Sequence, residues 1–285
     1  MQRSEFRFLD RLRVRWAEID AQKVVFNAHY LMYFDTAIAG YWRAMALPYA
    51  ETMEALGGDL FVRKATVEYM GSARYDDVLE IGLRCQRVGT SSIVFVGGAF
   101  RQDRLLVSCE LTYVFADPHG NSSQPVPGGL RELFEQFEAG RPMVDVRVGS
   151  WAELGEQARP IRSTVFIGEQ NIAAEMEWDG ADDGALHAVA FNRLGRPLAT
   201  GRMHEHVPGV AKIGRMAVAA SSRNSGVGRA VLDALLAAAR RRGDREAVLH
   251  AQIAAAPFYE RAGFARRGPE FDEAGIAHVE MLRAL

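Results

Sequence analysis

The chain has 285 residues, 48% hydrophobic and 25% charged, which fits two domains of ordinary globular size and is too apolar for wholesale disorder. The formal net charge is -2, an excess of -3 over residues 1–140 and +1 over residues 141–285, so nucleic acid is not expected as a main partner. No run reaches the ~18 apolar residues of a membrane span. The first residues lack a signal-peptide core, and Cys85 and Cys109 form neither a disulfide scaffold nor a zinc spacing. The expectation is a cytoplasmic protein with no membrane and no metal.

Taken in chain order, Leu31, Phe34, Ile38, Tyr41 and Met45 recur every three or four residues and predict one face of a long helix. After Gly57-Gly58 the period becomes two. Leu79, Ile81, Leu83 and Cys85 alternate with Glu80, Gly82, Arg84 and Gln86, and Leu105 to Phe115 continues the pattern. Short polar turns such as Arg101-Gln102-Asp103 predict a meandering antiparallel sheet that buries the helix, an α+β domain. The turn-rich stretch from Asp117 to Gly129 precedes a short amphipathic segment carrying Leu130, Leu133, Phe134 and Phe137. Ala139 to Pro142 reads as a linker, which places the domains at 1–140 and 141–285.

The second half alternates strands and helices. Val144, Val146 and Val148 predict a strand, and Trp151 to Phe166 a helix. A strand at Ile213–Val218 runs through a glycine-bearing turn into a helix with Val227, Val231, Leu235 and Ala239 on one face. A strand at Ala247–Gln252 and a helix near Pro257–Ala262 follow, giving an α/β layout.

In that turn, Arg223-Asn224-Ser225-Gly226-Val227-Gly228 separates strand from helix. Glycines admit close backbone approach, and the first free amides of a helix form a cradle for a pyrophosphate. An ordinary strand-to-helix turn would use the same residues. The R-x-x-G-x-G order resembles the acyl-CoA signature of the GNAT N-acetyltransferases. Leu249 to Gln252, Phe258-Tyr259 with Gly263-Phe264, and Ile213 to Val218 extend the resemblance to an ElaA-like branch. The resemblance implies transfer of an acetyl or acyl group from coenzyme A to an amine, on a GNAT fold with a mixed sheet. Met216, Ala217 and Val218 would offer backbone groups to the pantetheine, and Arg223, Asn224, Gly226, Val227, Gly228 and Arg229 would hold the pyrophosphate. Tyr259 would protonate the leaving thiolate; a tyrosine that merely packs the last helix is the alternative. Glu169, Glu175, Glu177, Glu205, Glu273 and His278 all stay open as a base for the amine. His204 and His206 share a strand face but lack a third ligand. Arg240, Arg241, Arg242 and Arg245 end a helix, where cations suit the dipole.

In the first half, Val14 to Phe34 places Asp20 in a loop ahead of the long helix, where it either caps the helix or attacks a ligand at its N-terminus. The order Val14-Arg15-Trp16, Glu18, Asp20, Val24-Val25-Phe26, then Ala28, Tyr30-Leu31, resembles hotdog-fold acyl-CoA thioesterases of the 4-hydroxybenzoyl-CoA and YbgC type. The implied fold is a long helix wrapped by an antiparallel sheet. Asp20 matches the catalytic carboxylate, and the amide near Asn27 would polarise the thioester carbonyl. Gln22-Lys23 stand where the family usually has glycine, and Asn27 and His29 occur in a less usual order. The resemblance also implies a homodimer or larger assembly through residues 1–138. Together the halves imply a bifunctional enzyme using acyl-CoA as substrate; the alternative is a transferase whose hotdog half only dimerises or senses acyl-CoA.

Overall fold

The computed structural model describes residues 1–120 and 122–285, which divide into two compact units, Met1–Met143 and Val144–Leu285. No helix is long and apolar enough to cross a membrane among the described residues.

The first unit begins with β1 (Phe8–Arg13), then α1 (Asn27–Ala44) and α2 (Tyr49–Leu56). Four strands follow: β2 (Asp59–Tyr69), β3 (Val78–Val88), β4 (Ser92–Arg101) and β5 (Arg104–Ala116). The helix α3 (Gly128–Glu138) closes the unit. All sheet pairings are antiparallel, in the order β1-β3-β4-β5-β2. The β4–β5 hairpin turns on Gln102-Asp103, with Gln102 at φ 57. Phe34, Ile38, Tyr41 and Met45 of α1 are buried as their spacing predicts, but Leu31 is 40% exposed and does not belong to that face.

Two kinds of residue let α1 nest on the sheet. Phe95, on the helix side of β4, meets Tyr41 and Phe134 edge-on at 5.4 and 5.6 Å. Gly97, two residues along the same side, leaves room for Phe34, whose ring would lie 2.8 Å from a Cβ there. On the opposite side Gly82 makes the same room for Phe6. The burial of Leu130, Leu133, Phe134 and Phe137 fixes α3 against this core.

The second unit runs β6 (Val144–Gly149), α4 (Trp151–Arg162), a π-helical segment (Ser163–Glu169) and the short α5 (Ala174–Glu177). Then come β7 (Leu186–Asn192), β8 (Pro197–Val207), β9 (Val210–Val218), α6 (Val227–Arg242) and β10 (Glu246–Gln252). It ends with α7 (Ala256–Arg261), β11 (Ala265–Glu273) and β12 (Ile276–Ala284). The sheet is mixed, in the order β11-β12-β10-β9-β8-β7-β6, with β9 and β10 its parallel pair. Leu154 and Ala158 of α4 pack on Val189 and Phe191, whereas Val231 and Leu235 of α6 lie over Gly201. The sheet is therefore covered by helices contributed from different parts of the chain. The single parallel pair matters most, because it is where the sheet opens.

Candidate functional site

In the second unit, β9 and β10 pair only at Val210–Lys212 with Glu246–Val248. Beyond Lys212, β9 stays on β8 and β10 stays on β12, so the facing edges of β9 and β10 part. The cause is local. Between the pairs Gly214↔Arg202 and Ala217↔Thr200 the strand β9 carries one extra residue, and Arg215 there sits at φ 51. A bulge of this kind bends and twists its strand. The Arg215 guanidinium then anchors it, bonding Glu177 at 2.9 Å and Asp179 at 3.0 Å.

The gap widens into a cavity of about 480 Å³ lined by Gly214, Met216, His250, Gln252 and Tyr259 among others. Met216 lines the cavity from the side of β9 that β10 leaves unpaired, and edge amides and carbonyls can accept an extended ligand as a further strand. At the end of β9 the chain turns through Asn224 (φ 62) and Gly226 (φ 88) into α6, whose start carries no side-chain cap. A Cβ on Gly226 would meet nothing within 4 Å, so the backbone there faces open space. Gly228 is needed for packing instead, since a Cβ there would come within 3.0 Å of Val218. Uncapped amides and the positive end of the helix dipole favour negative charge at this turn. Val227 is buried, so its side chain packs inward and only its backbone faces the turn.

The two arginines in the turn are already engaged. Arg223 holds Glu169 at 2.5 Å and reaches the Val218 carbonyl, while Arg229 pairs with Asp233 at 2.8 Å. Tyr259 lines the cavity and packs edge-on against Phe258 at 4.9 Å; burial pushes its phenol up to about 12. The group is thus both a packing residue and a protonated hydroxyl on the cavity wall.

Of the expected bases, Glu177 is buried and bound by Arg162 and Arg215, and Glu169 is bound by Arg223. Glu205 is exposed and outside the cavity lining, and His278 spends Nδ1 on the Ile276 carbonyl at 2.8 Å. Glu175 and Glu273 line the cavity, and Glu273 Oε2 lies 3.0 Å from Nδ1 of His250. His204 contacts the carbonyl of Glu205. No group of three or more metal-ligating side chains occurs among the described residues. Of the arginines at the end of α6, Arg242 pairs with Asp244 at 2.8 Å beside Gly243 at φ 93.

Along one wall of the cavity runs a buried ion network that no spacing in the sequence announces. Arg162, 1% exposed, bonds Glu177 and Asp182, and Arg202 bonds Asp182 at 3.0 Å and Asp179 at 2.7 Å. Trp151 and Trp178 flank the Arg162 guanidinium at 5.2 and 4.7 Å. The hydrogen bond from Arg202 holds the Asp179 carboxyl far below its ordinary value. A carboxylate depressed on folding stabilises the fold at pH values above its unfolded pKa of about 3.9, and that contribution is lost as pH falls through the folded value. Asp179→Asn is therefore expected to flatten the loss of thermal stability between about pH 5 and pH 3 relative to wild type. Circular dichroism melts of the full chain across that range would show it, and parallel curves for the two proteins would refute it.

In the first unit, Asp20 opens a tight loop. Its Oδ1 accepts the Gln22 amide at 2.8 Å and the Val24 amide at 3.4 Å, and Ile19 bridges Val25 across the loop. Lys23 sits at φ 64, a conformation that glycine adopts without strain. A side chain there costs roughly 1–2 kcal/mol of backbone strain. Asp20 does not cap α1: the residue preceding that helix is Phe26, with no side-chain cap. The first amides of α1, including that of Asn27, remain without a capping side chain; the Asn27 carbonyl accepts the Tyr69 hydroxyl at 3.1 Å.

Glu18 joins the Asp20 loop to α1. Buried at 3% exposure, it accepts the Tyr33 hydroxyl at 2.7 Å and the Arg15 amide at 2.7 Å, while its carbonyl takes the Phe26 amide. Burial alone would raise its carboxyl, but these donors outweigh it and hold it low. Around this loop Trp16, Phe26 and Tyr75 are exposed, as are Phe61 and Val62 on the edge strand β2. The signal for Glu18 was present in the motif, but nothing local marked it as a brace.

Residues 156–285 match the acetyltransferase (GNAT) domain family and residues 22–108 the thioesterase superfamily. An uncharacterised N-acetyltransferase of Bacillus subtilis, YjcF, is 36% identical over 124 residues, covering 43% of this chain and 87% of that protein. The acyl-CoA thioester hydrolase YbgC of Escherichia coli is 30% identical over 129 residues, covering 44% of this chain and 93% of that protein. The chain belongs to both families: it joins a thioesterase-superfamily hotdog domain to a GNAT domain. In GNAT terms the opened β9–β10 edge and the uncapped α6 turn lie in one domain, and in hotdog terms the Asp20 loop and the start of α1 lie in the other.

Proposed function

We propose that the chain is a bifunctional acyl-CoA-using enzyme. Its hotdog domain hydrolyses an acyl-CoA thioester, and its GNAT domain transfers an acetyl or acyl group from coenzyme A to an amine. The observation that carries this reading is the parting of β9 from β10 beside an uncapped helix start, a slot for an extended chain that ends at an anion cradle.

In the GNAT domain, the backbone of Met216, Ala217 and Val218 holds the pantetheine as an added strand. The turn from Arg223 to Arg229, with Asn224, Gly226, Val227 and Gly228, holds the pyrophosphate through its amides. The guanidinium of Arg223 swings from Glu169 to the phosphates when coenzyme A enters. Tyr259 gives its proton to the departing sulfur. In the hotdog domain Asp20 attacks the thioester carbonyl or takes a proton from the attacking water. The amide near Asn27, at the positive end of α1, stabilises the oxyanion.

The test is thiol release from a panel of acyl-CoAs, with and without added primary amines. Tyr259→Phe is expected to lower amine-dependent release about 10²-fold, the low end of general-acid contributions, without lowering amine-independent release. Equal loss of both would remove the assigned role.

A second reading, a hotdog domain that only dimerises or senses acyl-CoA, is favoured by one observation. The Asp20 Oδ1 is already engaged by two loop amides. The same assay separates the readings, because a module releases no thiol without amine.

Both readings include a homodimer through the hotdog domain. The edge strand β2 has backbone groups paired on one side only and exposes Phe61, Val62 and Tyr69. An exposed apolar strand edge is a template for pairing with another chain. Val62→Lys is expected to shift the protein from dimer to monomer in analytical ultracentrifugation; an unchanged dimer would place the contact elsewhere.

A further inference from the structure

We infer that His250, held by Glu273, is the base that deprotonates the acceptor amine; this rests on the reading of the GNAT domain as an N-acyltransferase. A primary alkylamine has a pKa of about 10, so at neutral pH it arrives as an ammonium ion with no lone pair to attack. Transfer therefore needs a proton acceptor inside the cavity.

His250 and Tyr259 both line that cavity, the first from β10 and the second from α7, which follows β10 after the turn Ile253–Ala255. The Nδ1 atom of His250 lies 3.0 Å from Oε2 of Glu273, at the end of β11 where the hairpin turns through Ala274 and Gly275. A carboxylate oxygen only accepts, so Nδ1 carries a proton, and in the neutral ring this tautomer leaves the lone pair on Nε2. Phe271 meets the ring edge-on at 4.9 Å and limits its rotation. Glu280, paired with His250 across β12, is taken by Arg267 at 2.5 Å, which leaves Glu273 as the orienting carboxylate. The other charged or titratable groups lining the cavity are Lys212 and Arg215 on β9, Arg202 and His204 on β8, His278 on β12, and Glu177 and Asp179 at and just past the end of α5, both held by arginines. Glu175, the remaining carboxylate among the expected bases, is exposed on a helix of four residues.

Nε2 takes one proton from the bound ammonium, and the freed nitrogen pair forms the C–N bond to the thioester carbon. The C–S bond breaks as the tetrahedral intermediate collapses, and sulfur takes the Tyr259 proton. The second nitrogen proton restores Tyr259, and the imidazolium returns its proton to solvent. Here His250 is catalytic and Glu273 is a positioning residue.

The test compares two nucleophiles with acetyl-CoA: ethylamine, protonated at neutral pH, and hydroxylamine, which is already unprotonated. His250→Gln is expected to lower ethylamine-dependent thiol release by about 10²–10⁴-fold. Hydroxylamine-dependent release should change by less than about tenfold, because it bypasses the base. Glu273→Gln should show a weaker loss of the same selectivity. Equal losses on both nucleophiles, or no loss, would overturn the proposal, as would a selective loss in Glu175→Gln instead. Nitrogen NMR of the full chain labelled in histidine adds a readout independent of turnover. The expected result is a proton on Nδ1 and none on Nε2 of His250 at pH 8, with that preference weakened in Glu273→Gln. A proton on Nε2 in the wild type would overturn the base assignment while leaving the transferase reading intact. Wild type that transfers to neither nucleophile, with the NMR result as expected, would overturn the transferase reading and the base role with it.

Discussion

Asp20→Asn is expected to lower amine-independent thiol release from the preferred acyl-CoA by about 10²–10⁴-fold, the range a positioned base or nucleophile supplies. The replacement is nearly isosteric, and an amide oxygen still accepts the Gln22 and Val24 amides that Oδ1 accepts now. The loop, the bridge between Ile19 and Val25 and the brace at Glu18 therefore survive. What disappears is the negative oxygen available to attack carbon or to activate water. Amine-dependent transfer in the other domain should be untouched, and the thermal melting curve should superimpose on that of the wild type. Release that persists at the wild-type rate would remove Asp20 from catalysis. Absence of release from the wild type across the panel would make the hotdog domain a dimerising or sensing platform.

Arg162→Met is expected to destabilise the GNAT domain by about 3–5 kcal/mol, the cost of leaving the partners of a buried charge unpaired. Glu177 and Asp182 would then be buried with fewer cations, and Arg162 itself is enclosed by Trp151 and Trp178. By contrast an exposed pair such as Arg266 with Glu260 contributes about 0–1 kcal/mol, so Arg266→Met should be nearly silent. Urea unfolding of the full chain, followed by tryptophan fluorescence, measures both. The triple change Arg162→Met, Glu177→Gln, Asp182→Asn should recover part of the loss, because it removes the uncompensated charges as well. A functional consequence follows from Arg215, which holds the β9 bulge through Glu177. Loosening that anchor lets β9 approach β10, so the KM for acetyl-CoA should rise in any Arg162 variant that still folds. An unfolding free energy within 1 kcal/mol of wild type would show that the network contributes little.

Much of this molecule was legible in its sequence because the deciding signals are local. The spacing of Phe34, Ile38, Tyr41 and Met45 depends only on the pitch of a helix, and all four are buried. The alternation through Leu79, Ile81 and Leu83 depends only on strand geometry. Gly226 and Asn224 announce a turn that needs positive φ, and both have it. The motifs around Asp20 and Arg223 are contiguous, so the two family resemblances could be read without a fold.

Tertiary structure decided the rest, because it depends on residues far apart in the chain. Leu31 fits the helical period, yet it is exposed, because what a helix face buries is set by what packs on it. The sequence left six candidate bases open; folding engages Glu169 and Glu177 with arginines and brings Glu273 to His250, 23 residues away. Arg162, Glu177, Asp182 and Arg202 form a network with no spacing rule, since strand pairing and helix packing, not pitch, bring them together. Periodicity reports which side of an element is apolar; only the fold determines which distant charges meet there.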